Sequence, residues 1–227
     1  MLLSNVSRGN VLAVAINMLI IASIASLNCL IIQQIIYSNV ADGIHYINRD
    51  LVRFETIIFI VSITNIVAGL FFVVILIVWL YRAYSNMQTL DNKLTDHKYW
   101  AVLGWIAPLF NLIMPYRLFN KMSLSAVDYV KVHTQVSLKR YKPLWLLLIW
   151  VNFLLIVLLR VFQYRIAYFV DASIVLNIGI AINVLILVCT LLFASYFNFY
   201  RKLEALIYKL NLEEKDDSTD CIELVRE

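Results

Sequence analysis

Four stretches of this chain, residues 11–36, 56–81, 143–159 and 172–200, contain no Asp, Glu, Lys, Arg or His. A helix needs about 20 mostly apolar residues to cross the hydrocarbon core of a bilayer, so each stretch is long enough, or nearly so, to span one. In hydrocarbon every backbone N–H and C=O must be paired within the segment. Runs this long without strand-like alternation meet that requirement as helices and not as barrel strands. The shortest run, 143–159, extends to residue 162 if Arg160 snorkels toward headgroups past Val161 and Phe162. The expected fold is therefore all-α: a polytopic transmembrane helical bundle with spans near residues 11–36, 54–82, 143–162 and 172–200.

Composition agrees with lipid as the solvent. Of 227 residues 62% are hydrophobic and 15% charged, against roughly 25% charged in soluble domains. One domain over residues 1–210 is expected, followed by an acidic, disordered tail over 211–227 in which seven acids face only Lys215 and Arg226. The first apolar run is far longer than the core of a secretory signal, so no cleaved leader is expected. Cys29, Cys189 and Cys221 are too scattered for a zinc knuckle or a redox pair.

A fifth apolar segment, 99–119, differs from the four. Gly104, Pro108, Asn111 and Pro115 interrupt it, and each proline removes a backbone donor and crowds the preceding turn. A re-entrant or interfacial course is expected rather than a straight crossing. Charge supports this choice. With four spans and both termini cytoplasmic, 15 Lys/Arg fall on the inner side and 4 on the outer, whereas a fifth crossing gives at best 13 against 6. The loop 82–142 holds nine Lys/Arg against Asp91, Asp96 and Asp128, which suits anionic headgroups. Within it the patterning predicts amphipathic helix over 81–94 and 117–128, while Val130, Val132, Thr134, Val136 and Leu138 alternate as a strand would.

The chemistry-bearing residues are sparse. His45, His97 and His133 are scattered over three loop positions, no H-E-x-x-H or G-x-S-x-G occurs, and the acids lie outside the spans. Neither an enzyme nor a cofactor or metal site is expected, and no nucleic-acid reader motif is present. Asn17, Asn28, Asn65, Asn152, Asn177 and Asn183 lie in the spans, where an amide either bonds between helices or lines a polar path. Stripes of small residues such as Ala22, Ala25, Ser26 and Cys29 suit close helix packing or a homo-oligomer seam.

Trp79, Arg82, Ala83, Tyr84 and Asn86, followed by Trp100, Trp105, Pro108, Asn111, Pro115, Tyr116 and Arg117, resemble the uncharacterised membrane family called domain of unknown function 4328. The specific part is W-x-x-P-x-x-N-x-x-x-P from Trp105, and Lys142, Pro143 and Trp145 fit the continuation. The resemblance implies a bacterial-type polytopic protein of the cytoplasmic (inner) membrane and no established activity or cofactor. The candidate functional segment is Arg82, Asn86, Trp100, Trp105, Pro108, Asn111, Pro115 and Arg117. The tryptophans would anchor it at headgroup depth and the arginines would pair with phosphate or cap a helix. Two functions are compatible with these residues. One is a non-enzymatic accessory, assembly or regulatory protein acting through protein or lipid contacts; the other is a small transporter or channel that uses 99–119.

Overall fold

The computed structural model describes residues 2–91, 94–106, 112–134 and 143–224. Six helices follow in order: α1 (Val6–Ala41), α2 (Asn48–Leu90), α3 (Trp100–Ile106), α4 (Met114–His133), α5 (Pro143–Ile166) and α6 (Ala172–Leu224). No strand occurs among the described residues. Four helices, α1, α2, α5 and α6, are long and apolar enough to cross a membrane, as expected. Their most apolar windows reach mean hydropathies of 2.2 to 2.7, yet no more than 28% of any window is buried within the protein. Surfaces this apolar and this uncovered call for a solvent as apolar as themselves.

The helices overrun the charge-free stretches. At 1.5 Å per residue the 43 residues of α2 extend about 65 Å, roughly twice a hydrocarbon core. Helix α6 continues to Leu224 and takes in most of the acidic stretch 211–227. Val130 lies inside α4, which also ends the alternating stretch: Thr134 caps it in extended geometry, its N–H and hydroxyl both donating to the Val130 carbonyl. The continuation at Val136 and Leu138 lies outside the described residues.

The chain forms two compact units: Met1–Val11 with Leu76–Leu147 and Ser195–Glu227, and Leu12–Ile75 with Leu148–Ala194. In the second unit, small residues let helices approach. Leu19, Ala22 and Ala68 form a buried cluster with Phe72 packed on it, and Phe72 meets Phe193 edge-on at 5.5 Å. Asn152 donates to the Leu185 carbonyl and Gln163 to that of Val175, tying α5 to α6. Asn28, Asn183 and Thr190 instead donate to carbonyls four residues back on their own helices. Gly43 ends the turn after α1 at φ 84°, a left-handed conformation that a side chain disfavours. The start of α6 is fastened to α1 by Tyr37 donating to Asp171 and Gln34 to the Ser173 hydroxyl.

The first unit has a different interior. Trp79, Tyr84, Tyr196, Phe197 and Tyr200 are all at most 1% exposed, with Leu80, Leu118, Met122 and Val130. Trp79 sits at the centre. Its ring lies 5.3 Å from Phe197 and 5.5 Å from Tyr200, both edge-on, and 6.5 Å from Phe119 in a stacked arrangement. The amphipathic α4 supplies one wall by burying Leu118, Phe119, Met122, Ala126, Val127 and Val130. On that wall Ser123 and the Tyr196 hydroxyl share a buried hydrogen bond of 2.7 Å.

Candidate interaction surface around the interrupted segment

Within the first unit the chain between α2 and α3 is organised by side chains that take over from backbone pairing. Gln88, in the last turn of α2, donates to the carbonyls of Leu94 (3.1 Å) and Asp96 (2.6 Å). Asp91 accepts from Ser125 of α4 at 2.6 Å. Asp96 is the main junction. Its carboxylate accepts from Arg117 through Nη2 (2.8 Å) and Nε (3.1 Å), and from Lys121 Nζ at 2.7 Å. Two cations one helical turn apart on α4 thus close on a single acid, and the bidentate geometry fixes the start of α4.

Helix α3 packs on the beginning of α4, and Gly104 is the contact. A side-chain carbon there would lie 3.1 Å from Met114 Cβ and 3.8 Å from Pro115 Cδ. Pro115 stands in the first turn of α4, where a missing N–H costs nothing, so this proline starts a helix and does not kink one. Beside α3, Tyr99 stacks on His97 at 4.7 Å and on Tyr81 at 6.2 Å, and the Lys98 ammonium lies about 6 Å from both tyrosine rings. Tyr99, Leu103, Leu112 and Ile113 remain exposed.

The eight residues expected from sequence are placed as follows. Trp100 and Trp105 are half-buried on α3, Pro115 is buried, and Arg117 is held by Asp96. Arg117 is therefore committed to an internal ion pair, where lipid phosphate or a helix C-terminus was the expectation. Arg82 is half-buried, with a buried Nε that finds no hydrogen bond. Asn86 does not join this group but clamps the N-terminal segment: its Oδ1 accepts from Leu3 N–H at 3.2 Å and its Nδ2 donates to Leu3 C=O at 2.8 Å. Pro108 and Asn111 lie outside the described residues.

Asp96, Lys121 and Gln88 escaped the sequence reading. Asp96 carried one available signal, being among only three acids in a loop with nine bases. Glu204, which accepts from Asn5 at 2.9 Å, was missed as well. It continues the spacing Tyr196, Tyr200 on α6, a four-residue step that marks one helix face. Among the described residues no group of three His, Cys, Asp or Glu is arranged to hold a metal ion.

Asp96→Ala is expected to lower stability by roughly 1–2 kcal/mol, between the value of an exposed ion pair and that of a buried one. The carboxylate is only 12% exposed, but Arg117 at 49% can return to water, which screens the loss. Thermal unfolding in mild detergent measures it, and Arg117→Lys should cost less because Lys121 still holds the acid.

Four long apolar helices and the absence of strands among the described residues define an all-α protein with membrane-span-like helices. The family model described as Domain of unknown function (DUF4328) matches residues 48–200, so the chain belongs to that family. No curated protein and no solved structure matches it.

Proposed function

We propose that this is a non-enzymatic multi-pass protein of a bacterial-type cytoplasmic membrane, both termini cytoplasmic, that acts as an accessory, assembly or regulatory subunit through the face formed by α3 and the start of α4. The observation that carries this reading is the division of labour on that face. Its charged groups are spent on internal ties, Asp96 with Arg117 and Lys121 and Asp91 with Ser125, while Tyr99, Leu103, Leu112 and Ile113 face outward. Large apolar side chains presented by a fixed frame suit a partner surface. The surrounding basic residues suit anionic headgroups. The transport reading draws on 99–119 and on the span amides, and Asn28, Asn152 and Asn183 all donate to backbone carbonyls, which favours packing.

The test is purification of the tagged protein from its own host in mild detergent, with cross-linking and mass spectrometry. A reproducible partner in defined stoichiometry, cross-linked near α3 and lost on Leu103→Ser with Ile113→Ser, is the expected outcome. A partnerless particle that moves a solute across liposomes would replace this reading with the transport one.

A further inference from the structure

A groove of about 490 Å³ opens on the second unit, between the last turns of α1, the first turns of α2 and the start of α6, with Ala167 at its edge. Its walls are mostly apolar, formed by Ile36, Val40, Phe54, Ile58, Val175 and Leu176. Tyr37, Val40, Glu55 and Ala172 are exposed on them, so the groove can be entered from outside the protein. Two hydrogen bonds fix the level at which α1 meets the start of α6, the Tyr37 hydroxyl donating to Asp171 at 2.8 Å and Gln34 to the Ser173 hydroxyl at 2.7 Å. The apolar runs change over at that level: the first ends at Ile36, the second begins at Thr56 and the fourth at Ala172. The groove therefore straddles the boundary between hydrocarbon and headgroups, with Ile58 and Leu176 on the hydrocarbon side.

Charge around the groove has one sign. Glu55 stands on the wall, exposed and with no hydrogen bond or ion pair among the described residues. Asp171 precedes the wall residue Ala172 and accepts from Tyr37, a neutral donor, and no cation pairs with it among the described residues. The arginines of the adjoining turns, Arg49, Arg53, Arg160 and Arg165, do not line the groove. On α2 the wall is made by residues 51, 54, 55 and 58, the spacing of one helix face, which leaves Arg49 and Arg53 off it. Arg53 meets Asp50 at 3.7 Å, and Arg160 donates to Gln163 at 3.1 Å. A net-anionic headgroup entering here meets like charge, whereas a primary ammonium brings three donors and the opposite charge to accessible carboxylates.

We propose that this groove holds one phospholipid with a primary-ammonium headgroup, an acyl chain lying along Ile36, Ile58, Val175 and Leu176 and the ammonium received by Glu55 and Asp171. A membrane lipid is the occupant that this depth supplies, because the surrounding helices bury no more than 28% of their most apolar windows within the protein. The volume falls within the roughly 300–1,000 Å³ of small-ligand sites, which suits one chain while the rest of the lipid stays in the bilayer. The site rests on these helices lying in a membrane and not on the α3–α4 contact face, so either can fail alone.

The probes are phosphatidylethanolamine and phosphatidylglycerol with matched chains, titrated into the full, delipidated chain in mild detergent and read by native mass spectrometry. One phosphatidylethanolamine per chain is expected, with phosphatidylglycerol at least about tenfold weaker, since a hydrogen bond to a charged group is typically worth that factor or more. Glu55→Gln, at an exposed position whose side chain has no partner to lose, should fold as wild type and bring the two lipids to within about threefold of each other. Ala172→Trp, which fills the groove from an exposed position at the start of α6, should abolish retention of both. Equal retention of the two lipids by the wild-type chain, or none of either, would overturn the proposal. Unchanged retention in Ala172→Trp would place the lipid elsewhere, and a lipid-free dimer closed over the groove would give it to a second copy; each overturns it too.

Discussion

Trp79→Ala is expected to remove about 3–5 kcal/mol of stability, the range for truncating a fully buried large aromatic in a packed core. Trp79 has no exposed surface and joins three elements at once, through Phe119 of α4 and through Phe197 and Tyr200 of α6. Its backbone carbonyl also accepts from Asn5, so the same residue helps to hold the N-terminal segment. The surrounding rings are themselves large and locked, so the vacated space cannot close, and the cavity contribution should lie toward the upper end. Trp79→Phe keeps two-thirds or so of the ring area and should cost far less. Unfolding midpoints in one detergent, compared across wild type, Trp79→Phe and Trp79→Ala, provide the check. A Trp79→Ala protein within about 1 kcal/mol of wild type would mean that the first unit is not cooperative around this ring.

Gly104→Val should be the second-largest effect, with a loss of about 1–3 kcal/mol from overpacking. The new carbon would sit 3.1 Å from Met114 Cβ, an atom fixed to the α4 backbone that cannot swing aside, with the rigid Pro115 ring close behind. Two opposing terms meet at this position. Alanine in a helix is favoured over glycine by about 1 kcal/mol, so Gly104→Ala gains in propensity what it loses in crowding and should come out nearly neutral. Valine adds two methyl groups to the crowding while keeping little of the propensity gain, so separation of α3 from α4 wins. Hydrogen exchange over residues 100–106 should rise in the valine variant and stay near wild type in the alanine one. Because Leu103 adjoins this contact, the valine variant should also weaken the cross-links to any partner of the α3–α4 face.

The four long helices were legible because lipid leaves a simple mark on sequence: it excludes charge over a length set by bilayer thickness. The amphipathic wall of α4 was legible in the spacing of residues 117–128 for the ordinary reason that one face is buried. The helix ends were not. Charge reports where hydrocarbon stops and not where the backbone stops being helical, so α6 runs on to Leu224 beyond the expected span, while the helix expected over 81–94 is the end of α2, continuous with the second span as far as Leu90. The division into two compact units was also hidden, since Tyr196, Phe197 and Tyr200 read as more span when they form an aromatic interior with Trp79.

The candidate site was legible in outline only. Pro115, Trp100, Trp105 and Arg117 do gather around the α3–α4 contact, but what fixes them is Asp96 together with Lys121 and Gln88, pairings 8 to 25 residues apart with no periodicity to betray them. Asn86 was singled out as part of the interrupted segment, and its partner is Leu3, 83 residues away. Motif spacing exposes local geometry, whereas such long-range hydrogen bonds leave no imprint on neighbouring sequence.

The clasp between the N-terminal segment and the rest of its unit sets an order of assembly. Leu3 can meet Asn86 only after α2 has been made, and Asn5 can meet Glu204, 199 residues on, only once that part of α6 has been made. Residues 3–5 thus reach their final places only after partners made much later, and closing so long a loop adds only a logarithmic entropy cost. Until α6 arrives Asn5 lacks its partner Glu204, and a nascent or truncated chain ending before residue 204 has no finished first unit to offer.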